Sequence, residues 1–217
     1  EHIYFARPDS RVNGDTVHMG RRKLGRKLFE EFPVEADVVT PVPDSGMSAA
    51  LGYSEASGLP FEMCYMRNHY VGRTFIQPSQ DQRMSKVRIK LSVIPETVKG
   101  KRVVVIDDSV IRGTTSRSRI KLLRDAGAKE IHMKISCPPT RHPCYYGIDF
   151  PSANELIASQ HSIEEIRKHI GADTLGYLSL EGMLDCVSKK PDNYCTACWT
   201  GNYSVKPVDI MRKDIHE

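Results

Sequence analysis

Two adjacent carboxylates and a run of hydroxyl-bearing residues at positions 107–116 are the part of the chain best suited to chemistry. Asp107 and Asp108 follow four apolar residues, 103–106, and the next eight positions read Ser-Val-Ile-Arg-Gly-Thr-Thr-Ser. Paired carboxylates suit sugar hydroxyls or a hard metal ion, whereas N–H groups and hydroxyls at a helix start suit a phosphate. The two chemistries side by side indicate a site for a phosphorylated sugar.

A plainer interpretation of this segment is a buried strand followed by a turn and a helix cap, because Asp commonly caps helices. The doublet followed by Arg112, Gly113 and three hydroxyl residues is harder to explain by capping. The segment is not a Walker loop, since it lacks the Gly-Lys-Ser/Thr sequence. A mononucleotide-type phosphate loop is therefore favoured.

Strands and helices that alternate along the chain must position these residues. The run at 103–106 has the pattern of a strand buried on both faces, and the other strands are predicted at 37–42, 61–66 and 130–136. Helices are predicted at 16–32, from the turn at 43–46 to Gly58, and at 116–126. Two capping-box sequences (Ser152 with Glu155, and Ser162 with Glu165) and Ser179 predict short helices, and the tail from Lys189 is predicted to be loop-like. This order predicts an α/β fold with a mostly parallel sheet flanked by helices, in which ligands bind at the carboxyl ends of the strands.

The composition and net charge of the chain limit the classes of protein to which it can belong. The chain has 217 residues, 40% of them hydrophobic, and a net charge of +4. Mild basicity suits an anionic small molecule and gives no indication of nucleic acid binding, while no apolar run is long enough to span a membrane. Six cysteines without a secretory signal favour a reducing compartment, so we expect a cytoplasmic protein. Since the chain starts at Glu1, we expect a fragment or a processed product.

The segment 103–115 resembles the phosphoribosylpyrophosphate (PRPP) motif of type I phosphoribosyltransferases. The resemblance implies that Asp107 and Asp108 contact the ribose 2′- and 3′-hydroxyls. It also implies a 5′-phosphate site, lined by Ser109, Arg112, Gly113, Thr114, Thr115 and Ser116.

Further segments narrow the resemblance to the glutamine PRPP amidotransferases. The stretch 40–46 resembles their pyrophosphate-binding turn, with Asp44, Ser45 and Gly46 as ligand-binding residues. The stretch 68–78 resembles the start of their mobile active-site loop, and residues 147–149, 155–158 and 170–173 resemble later segments.

This resemblance implies a type I phosphoribosyltransferase fold with a C-terminal helical and loop extension. We expect the phosphoribosyltransferase domain at 1–165, with a mobile lid at about 68–92, and the extension at 166–217. An N-terminal glutaminase domain, which the family uses to make ammonia, is expected to be absent from this chain.

The implied reaction is the displacement of pyrophosphate from PRPP by ammonia, which gives 5-phosphoribosylamine in the first step of de novo purine biosynthesis. The resemblance implies catalytic roles for Tyr70, Arg73 and Lys90, and a Mg²⁺ site near Ser45, Asp107 and Asp108. By composition alone, a solvated basic linker is the favoured interpretation of residues 68–92. Two alternatives are a phosphoribosyltransferase that adds a purine or orotate base, and a regulator that senses PRPP.

The cysteines allow several interpretations. The spacing Cys195-Thr-Ala-Cys198 could belong to half a zinc site, a redox pair or neither. The resemblance implies a [4Fe–4S] cluster held by Cys144, Cys195 and Cys198, with the fourth ligand upstream of Glu1, and we expect Cys64, Cys137 and Cys186 to be buried. It also implies a homo-oligomer, the glutaminase domain as partner, and inhibitory purine nucleotides.

Overall fold

The computed structural model describes residues 1–67, 91–148 and 152–205. Its strands are β1 (Arg11–Val12), β2 (Asp15–Thr16), β3 (Val38–Pro41), β4 (Tyr65–Arg67), β5 (Leu91–Val93), β6 (Arg102–Asp107), β7 (Glu130–Ile135) and β8 (Thr174–Tyr177). Its α-helices are α1 (Val17–Glu31), α2 (Met47–Ser57), α3 (Pro95–Val98), α4 (Thr114–Asp125), α5 (Ile157–Gln160), α6 (Ile163–Ile170), α7 (Leu180–Asp185) and α8 (Ala197–Thr200). Single 3₁₀ turns form at Ala153–Glu155 and Pro191–Asn193.

A parallel sheet with the strand order β3–β6–β7–β8 forms the centre of the described part of the chain. The register pairs Val38 with Val103 and Asp107 with Ile135, so β3, β6 and β7 end at the same edge. Residues 103–106 are completely buried, as expected for a strand covered on both faces. The predicted α/β fold with a mostly parallel sheet is confirmed, and the sheet continues past residue 165 because β8 pairs with β7.

Helices α1 and α2 pack unusually closely, and two glycines make this contact possible. A Cβ at Gly25 would lie 1.8 Å from the carbonyl oxygen of Ala49, and one at Gly52 would lie 1.9 Å from that of Arg22. Helix α2 packs in turn on β3 and β6. The start of α2, directly after the turn at 43–46, is therefore held against the strand that carries the acidic doublet.

Three local predictions need correction. The strand predicted at 61–66 is reduced to one bridge between Phe61 and Val39 and to β4, because the Cys64 N–H bonds to the Thr40 side chain at 3.1 Å instead of a strand partner. Ser152 and Glu155 form a 3₁₀ turn without a capping box, since the Glu155 carboxylate pairs with Arg112. The tail predicted as a loop contains α8.

Other local predictions are confirmed. Helix α1 spans nearly all of the predicted 16–32 segment, and Ser162 and Glu165 form the predicted capping box. Cys64, Cys137 and Cys186 are buried, as expected. None of the helices in the described ranges is both long and apolar enough to cross a membrane.

Candidate active site

The acidic doublet lies at the carboxyl end of β6, beside the turn that follows β3. Asp107 is the last residue of β6 and is 2% exposed. Ser45 Oγ, in the neighbouring turn, donates to Asp107 Oδ1 at 2.7 Å. A Cβ at Gly46 would lie 2.1 Å from the carbonyl oxygen of Ile106, so glycine allows the turn to approach β6. Two segments that the sequence predicts to bind one ligand thus meet.

Hydrogen-bond donors surround Asp107. Its Oδ1 also accepts from the backbone N–H of Asp108 at 3.0 Å, and its Oδ2 accepts from Arg119 Nη1 at 2.8 Å. Burial raises the pKa of Asp107, and the charge of Arg119 opposes this rise. These contacts fix the carboxylate in one orientation at the edge of the sheet.

Asp108 has a different environment. Burial, followed by the charge of Asp107, raises the pKa of Asp108 to about 7, while the Ser109 hydroxyl and the charge of Arg21 oppose the rise. Ser109 Oγ donates to Asp108 Oδ1 at 2.9 Å. Two close carboxylates in a buried place favour any cation that binds beside them, since it stabilises their ionised forms.

The loop after the doublet ends at Gly113, which caps α4. Gly113 has a φ of +77°, and a Cβ there would lie 2.9 Å from Ile157 Cδ1, so the position requires glycine. The Arg117 N–H bonds to the Gly113 carbonyl at 2.9 Å, and the N–H groups of the residues before Arg117 face the start of the helix. Such a helix start binds anions, because its N–H groups and its dipole are directed at the ligand.

One cleft of about 350 Å³ joins the doublet to this loop. Its lining contains most of the predicted ligand-binding residues: Ser45, Asp107, Asp108, Ser109, Arg112, Gly113, Thr114, Thr115 and Ser116, together with Ile111 and Arg119. The size, the carboxylates at one end and the helix start at the other suit a phosphorylated sugar.

Two predicted residues have other contacts. Arg112 Nε donates to Glu155 Oε1 at 3.0 Å, so its guanidinium group is paired outside the helix start. The exposed Asp44 side chain accepts from Arg67 Nη1 at 2.7 Å. Of the three residues in the turn at 44–46, Ser45 lines the cleft, and Asp44 and Gly46 are not among the described lining residues. The predicted catalytic residues Tyr70, Arg73 and Lys90 lie outside the described residues.

The three predicted cluster ligands lie in one neighbourhood. The backbone N–H groups of Arg141 and His142 both bond to the Cys198 carbonyl at 3.0 Å, which brings the loop of Cys144 to the tail. Tyr4 Oη lies 3.1 Å from Cys198 Sγ. Burial raises the pKa of the Cys198 thiol to about 11, and Cys195 and Cys144 add to this rise. Within the described ranges, no group of three or more His, Cys, Asp or Glu side chains is placed to hold a metal ion.

Sequence reasoning missed three arginines that act on predicted site residues: Arg119 donates to Asp107, Arg67 donates to Asp44, and the charge of Arg21 opposes the rise in the pKa of Asp108. For Arg119 a signal existed, because it follows Ser116 by three residues and so lies on the same side of α4. Arg21 and Arg67 come from other elements of the fold, and no local pattern indicates them.

Comparison with known proteins places this geometry in a family. Residues 14–151 match the Phosphoribosyl transferase domain family. The amidophosphoribosyltransferase of Bacillus subtilis (strain 168) is 58% identical over 99% of this chain, and that of Methanothermobacter thermautotrophicus is 51% identical over 97%. The chain spans 45% and 44% of these two relatives, about half the length of the curated relatives it matches.

Comparison with solved structures agrees with these sequence matches. The glutamine PRPP amidotransferase of B. subtilis, complexed with ADP and GMP, superposes with a TM-score of 0.87 and 57% identity over 94% of this chain and 46% of that one. A second structure, an allosteric regulatory enzyme of purine biosynthesis, gives 0.86 and 56% over 94% of this chain and 44% of that one. The resemblance seen in the motifs is confirmed along nearly the whole chain. With the cleft and its phosphate loop in place, the chain belongs to the phosphoribosyl transferase domain family.

Proposed function

We propose that this chain is the phosphoribosyltransferase portion of an amidophosphoribosyltransferase. It would form 5-phosphoribosylamine and pyrophosphate from PRPP and ammonia, in the first step of de novo purine biosynthesis. The observation that carries the proposal is the single cleft in which the Asp107–Asp108 doublet meets the start of α4. Identity of 58% over 99% of the chain to one amidophosphoribosyltransferase supports it.

The protein groups hold PRPP by its charged and hydroxylated ends. Asp107 and Asp108 accept hydrogen bonds from the ribose 2′- and 3′-hydroxyls, and Arg119 keeps Asp107 oriented. The start of α4, with the Thr114, Thr115 and Ser116 groups, donates to the 5′-phosphate. With both ends of the sugar fixed, C1 stays in line between the leaving pyrophosphate and the attacking ammonia.

The displacement passes through an oxocarbenium-like transition state, so it depends on neutralising the leaving group and excluding water. We propose that the turn at 44–46, together with Arg73 and Lys90, binds the leaving pyrophosphate. We also propose that the segment that includes Tyr70 closes over the site. Arg67, which pairs with Asp44, connects the turn to β4, directly before that segment.

The residues at the doublet fit a Mg²⁺ ion. Carboxylate and hydroxyl oxygens are the ligands it prefers, and Ser45, Asp107 and Asp108 supply them. Asp107 already accepts three hydrogen bonds, so we expect it to act mostly through water. Bound there, Mg²⁺ would add positive charge against the departing pyrophosphate.

The cysteines do not, as they stand, form a ligand set for iron. A [4Fe–4S] cluster takes four thiolates, and this chain offers Cys144, Cys195 and Cys198 in one neighbourhood. We propose a cluster completed by a fourth ligand upstream of Glu1, because the Tyr4 contact to Cys198 places the start of the chain beside these cysteines. Iron content and absorption spectrum of anaerobically purified protein test this. Iron in the chain extended upstream, and little in the present chain, is expected; no iron in either contradicts it.

Further parts of the proposal concern partners. A glutaminase domain of the same enzyme would supply ammonia, purine nucleotides would inhibit, and the enzyme would be a homo-oligomer in the cytoplasm. The ADP and GMP bound to the B. subtilis enzyme support the nucleotide part.

Pyrophosphate release from PRPP tests the function. With Mg²⁺ present, we expect release that depends on ammonia and is not supported by adenine, guanine, hypoxanthine or orotate. Release with a base in place of ammonia would instead show a base-adding phosphoribosyltransferase. PRPP binding without release under any of these conditions would show a PRPP-sensing regulator.

A further inference from the structure

Residues 153–160 lie against the loop that leads into α4, and the proposed reaction does not use them. They form the 3₁₀ turn Ala153–Glu155 and the helix α5. Leu156 is completely buried, which anchors the segment to the body of the protein. The Ser159 hydroxyl lies 2.7 Å from the carbonyl oxygens of both Ala153 and Leu156, so the turn and the helix are tied together. We name residues 153–160 the support segment.

The support segment holds the loop through main-chain and side-chain contacts. The Ile157 N–H donates to the carbonyl oxygen of Ile111 at 2.9 Å. A Cβ at Gly113 would lie 2.9 Å from Ile157 Cδ1 and 3.2 Å from Cδ2 of His169, which belongs to α6. The residues on both sides of position 112 are therefore fixed from outside the loop, directly before the start of α4.

An ion pair makes a third contact, at position 112 itself. Arg112 Nε donates to Glu155 Oε1 at 3.0 Å, and the two side chains are 54% and 49% exposed. An ion pair this exposed contributes little to the stability of a whole fold. Its effect is local, because it closes the loop onto the support segment. Arg112 also lines the cleft, so its guanidinium group has two candidate partners, which are Glu155 and a bound phosphate.

We infer that Glu155 is a positioning residue for the 5′-phosphate, because through Arg112 it holds the loop at 111–113 on the support segment. The N–H groups at the start of α4 then stay directed at the ligand. Arg112 acts through the loop and does not bind the phosphate itself. A loop that is held in place before binding loses less conformational freedom on binding, so the ion pair strengthens PRPP binding. This inference rests on the proposed function, because that function assigns the start of α4 to the 5′-phosphate.

The two partners of Arg112 predict opposite effects of Glu155→Gln on PRPP binding. If Arg112 bound the phosphate, losing Glu155 would release the guanidinium group and remove a negative charge near an anion site, so PRPP would bind more tightly. If the ion pair positions the loop, the same substitution loosens the loop, and PRPP binds more weakly. The direction of the change therefore separates positioning from direct phosphate binding.

Calorimetric binding of PRPP at fixed Mg²⁺ concentration measures this direction. We expect Glu155→Gln and Arg112→Gln each to weaken PRPP binding about fivefold, and the double variant to bind no more weakly than either, because both remove one contact. In ammonia-dependent pyrophosphate release, the KM of Glu155→Gln for PRPP should change much more than its kcat. The control is Glu164→Gln, which removes the same charge from an exposed pair with Arg167 on α6 and should bind PRPP as the wild type does.

Thermal unfolding of each variant shows whether it folds, and we expect midpoints close to that of the wild type because the ion pair is exposed. Should Glu155→Gln not fold, Ser159→Ala replaces it, since it loosens the support segment without changing a charge, and about threefold weaker binding is expected. Binding by the tested variant that is as tight as in the wild type, or tighter, would overturn the inference while the proposed function stands. Losses in Arg112→Gln and Glu155→Gln that multiply in the double variant would also overturn it. A wild-type chain that does not bind PRPP would overturn both the inference and the proposed function.

Discussion

Replacing Arg119 with methionine should destabilise the fold and damage the site, because it leaves the Asp107 carboxylate buried without its cation. The Asp107 side chain is 3% exposed, and the Arg119 side chain is 23% exposed. Removing one partner of a buried ion pair costs about 3–5 kcal/mol, and the partial exposure of Arg119 places the expected loss near the lower end, about 3 kcal/mol.

Urea unfolding at pH 7 measures this loss as a lower midpoint with an unchanged slope. The matched control is Arg117→Met, on the same helix, where the arginine is exposed and we expect a change within about 0.5 kcal/mol. The double variant Asp107→Asn with Arg119→Met should regain much of the stability, since no buried charge remains unpaired.

Two outcomes of these unfolding measurements would refute the prediction for the Asp107–Arg119 ion pair. Equal unfolding midpoints for Arg119→Met and Arg117→Met would mean that the ion pair contributes nothing to the folded state. An Arg119→Met protein that Asp107→Asn destabilises further would show that the cost does not come from the unpaired carboxylate.

Three other predictions concern backbone strain, pH and helix capping. Gly113→Ala should lower the free energy of unfolding in urea by about 1–2 kcal/mol and also weaken PRPP binding. The control is Gly14→Ala, where φ is +93° and the space around the glycine is open; it should lower the free energy of unfolding by a similar amount and leave calorimetric PRPP binding unchanged. Burial lowers the pKa of Lys134 from 10.5 to about 8, so at this group the unfolded chain binds more protons between these values, and the free energy of unfolding of the wild type should rise relative to that of Lys134→Met by on the order of 3 kcal/mol from pH 8 to 10.5. Urea titrations of the two proteins at both pH values measure this difference, and a difference that does not change with pH would contradict the prediction. Ser162→Ala should lower the free energy of unfolding by about 1 kcal/mol in urea and Ser152→Ala by much less, since Ser162 caps α6 and Ser152 makes no cap bond; equal losses would refute this.

The sequence predicts the parts of the site that depend on neighbours along the chain. The apolar run at 103–106, the doublet after it and the glycine before α4 define a strand, a turn and a helix start within a few residues, and this structure has all three. The meeting of Ser45 with Asp107 also follows from sequence, because β3 and β6 are both parallel strands that end at one edge.

The features that the sequence does not predict depend on contacts between residues far apart along the chain. Arg21 lies on α1 and its charge acts on Asp108, but its hydrogen bonds end on backbone carbonyls, which carry no signature in the side-chain pattern. The strand predicted at 61–66 is interrupted because the Thr40 hydroxyl accepts a hydrogen bond from the Cys64 N–H, which is then not available to a neighbouring strand. The sequence predicts that Arg112 binds the phosphate, whereas its pairing with Glu155 follows from the fold of the 152–155 turn.

The most direct test of the central assignment is the affinity for PRPP with Mg²⁺, measured by calorimetry for the wild-type chain and for the double variant Asp107→Asn with Asp108→Asn. The two asparagines keep the size of the side chains but remove the charged acceptors of the ribose hydroxyls. We expect the double variant to bind on the order of a hundredfold more weakly. Equal affinity of the two proteins would contradict the assignment of the doublet to the ribose of PRPP.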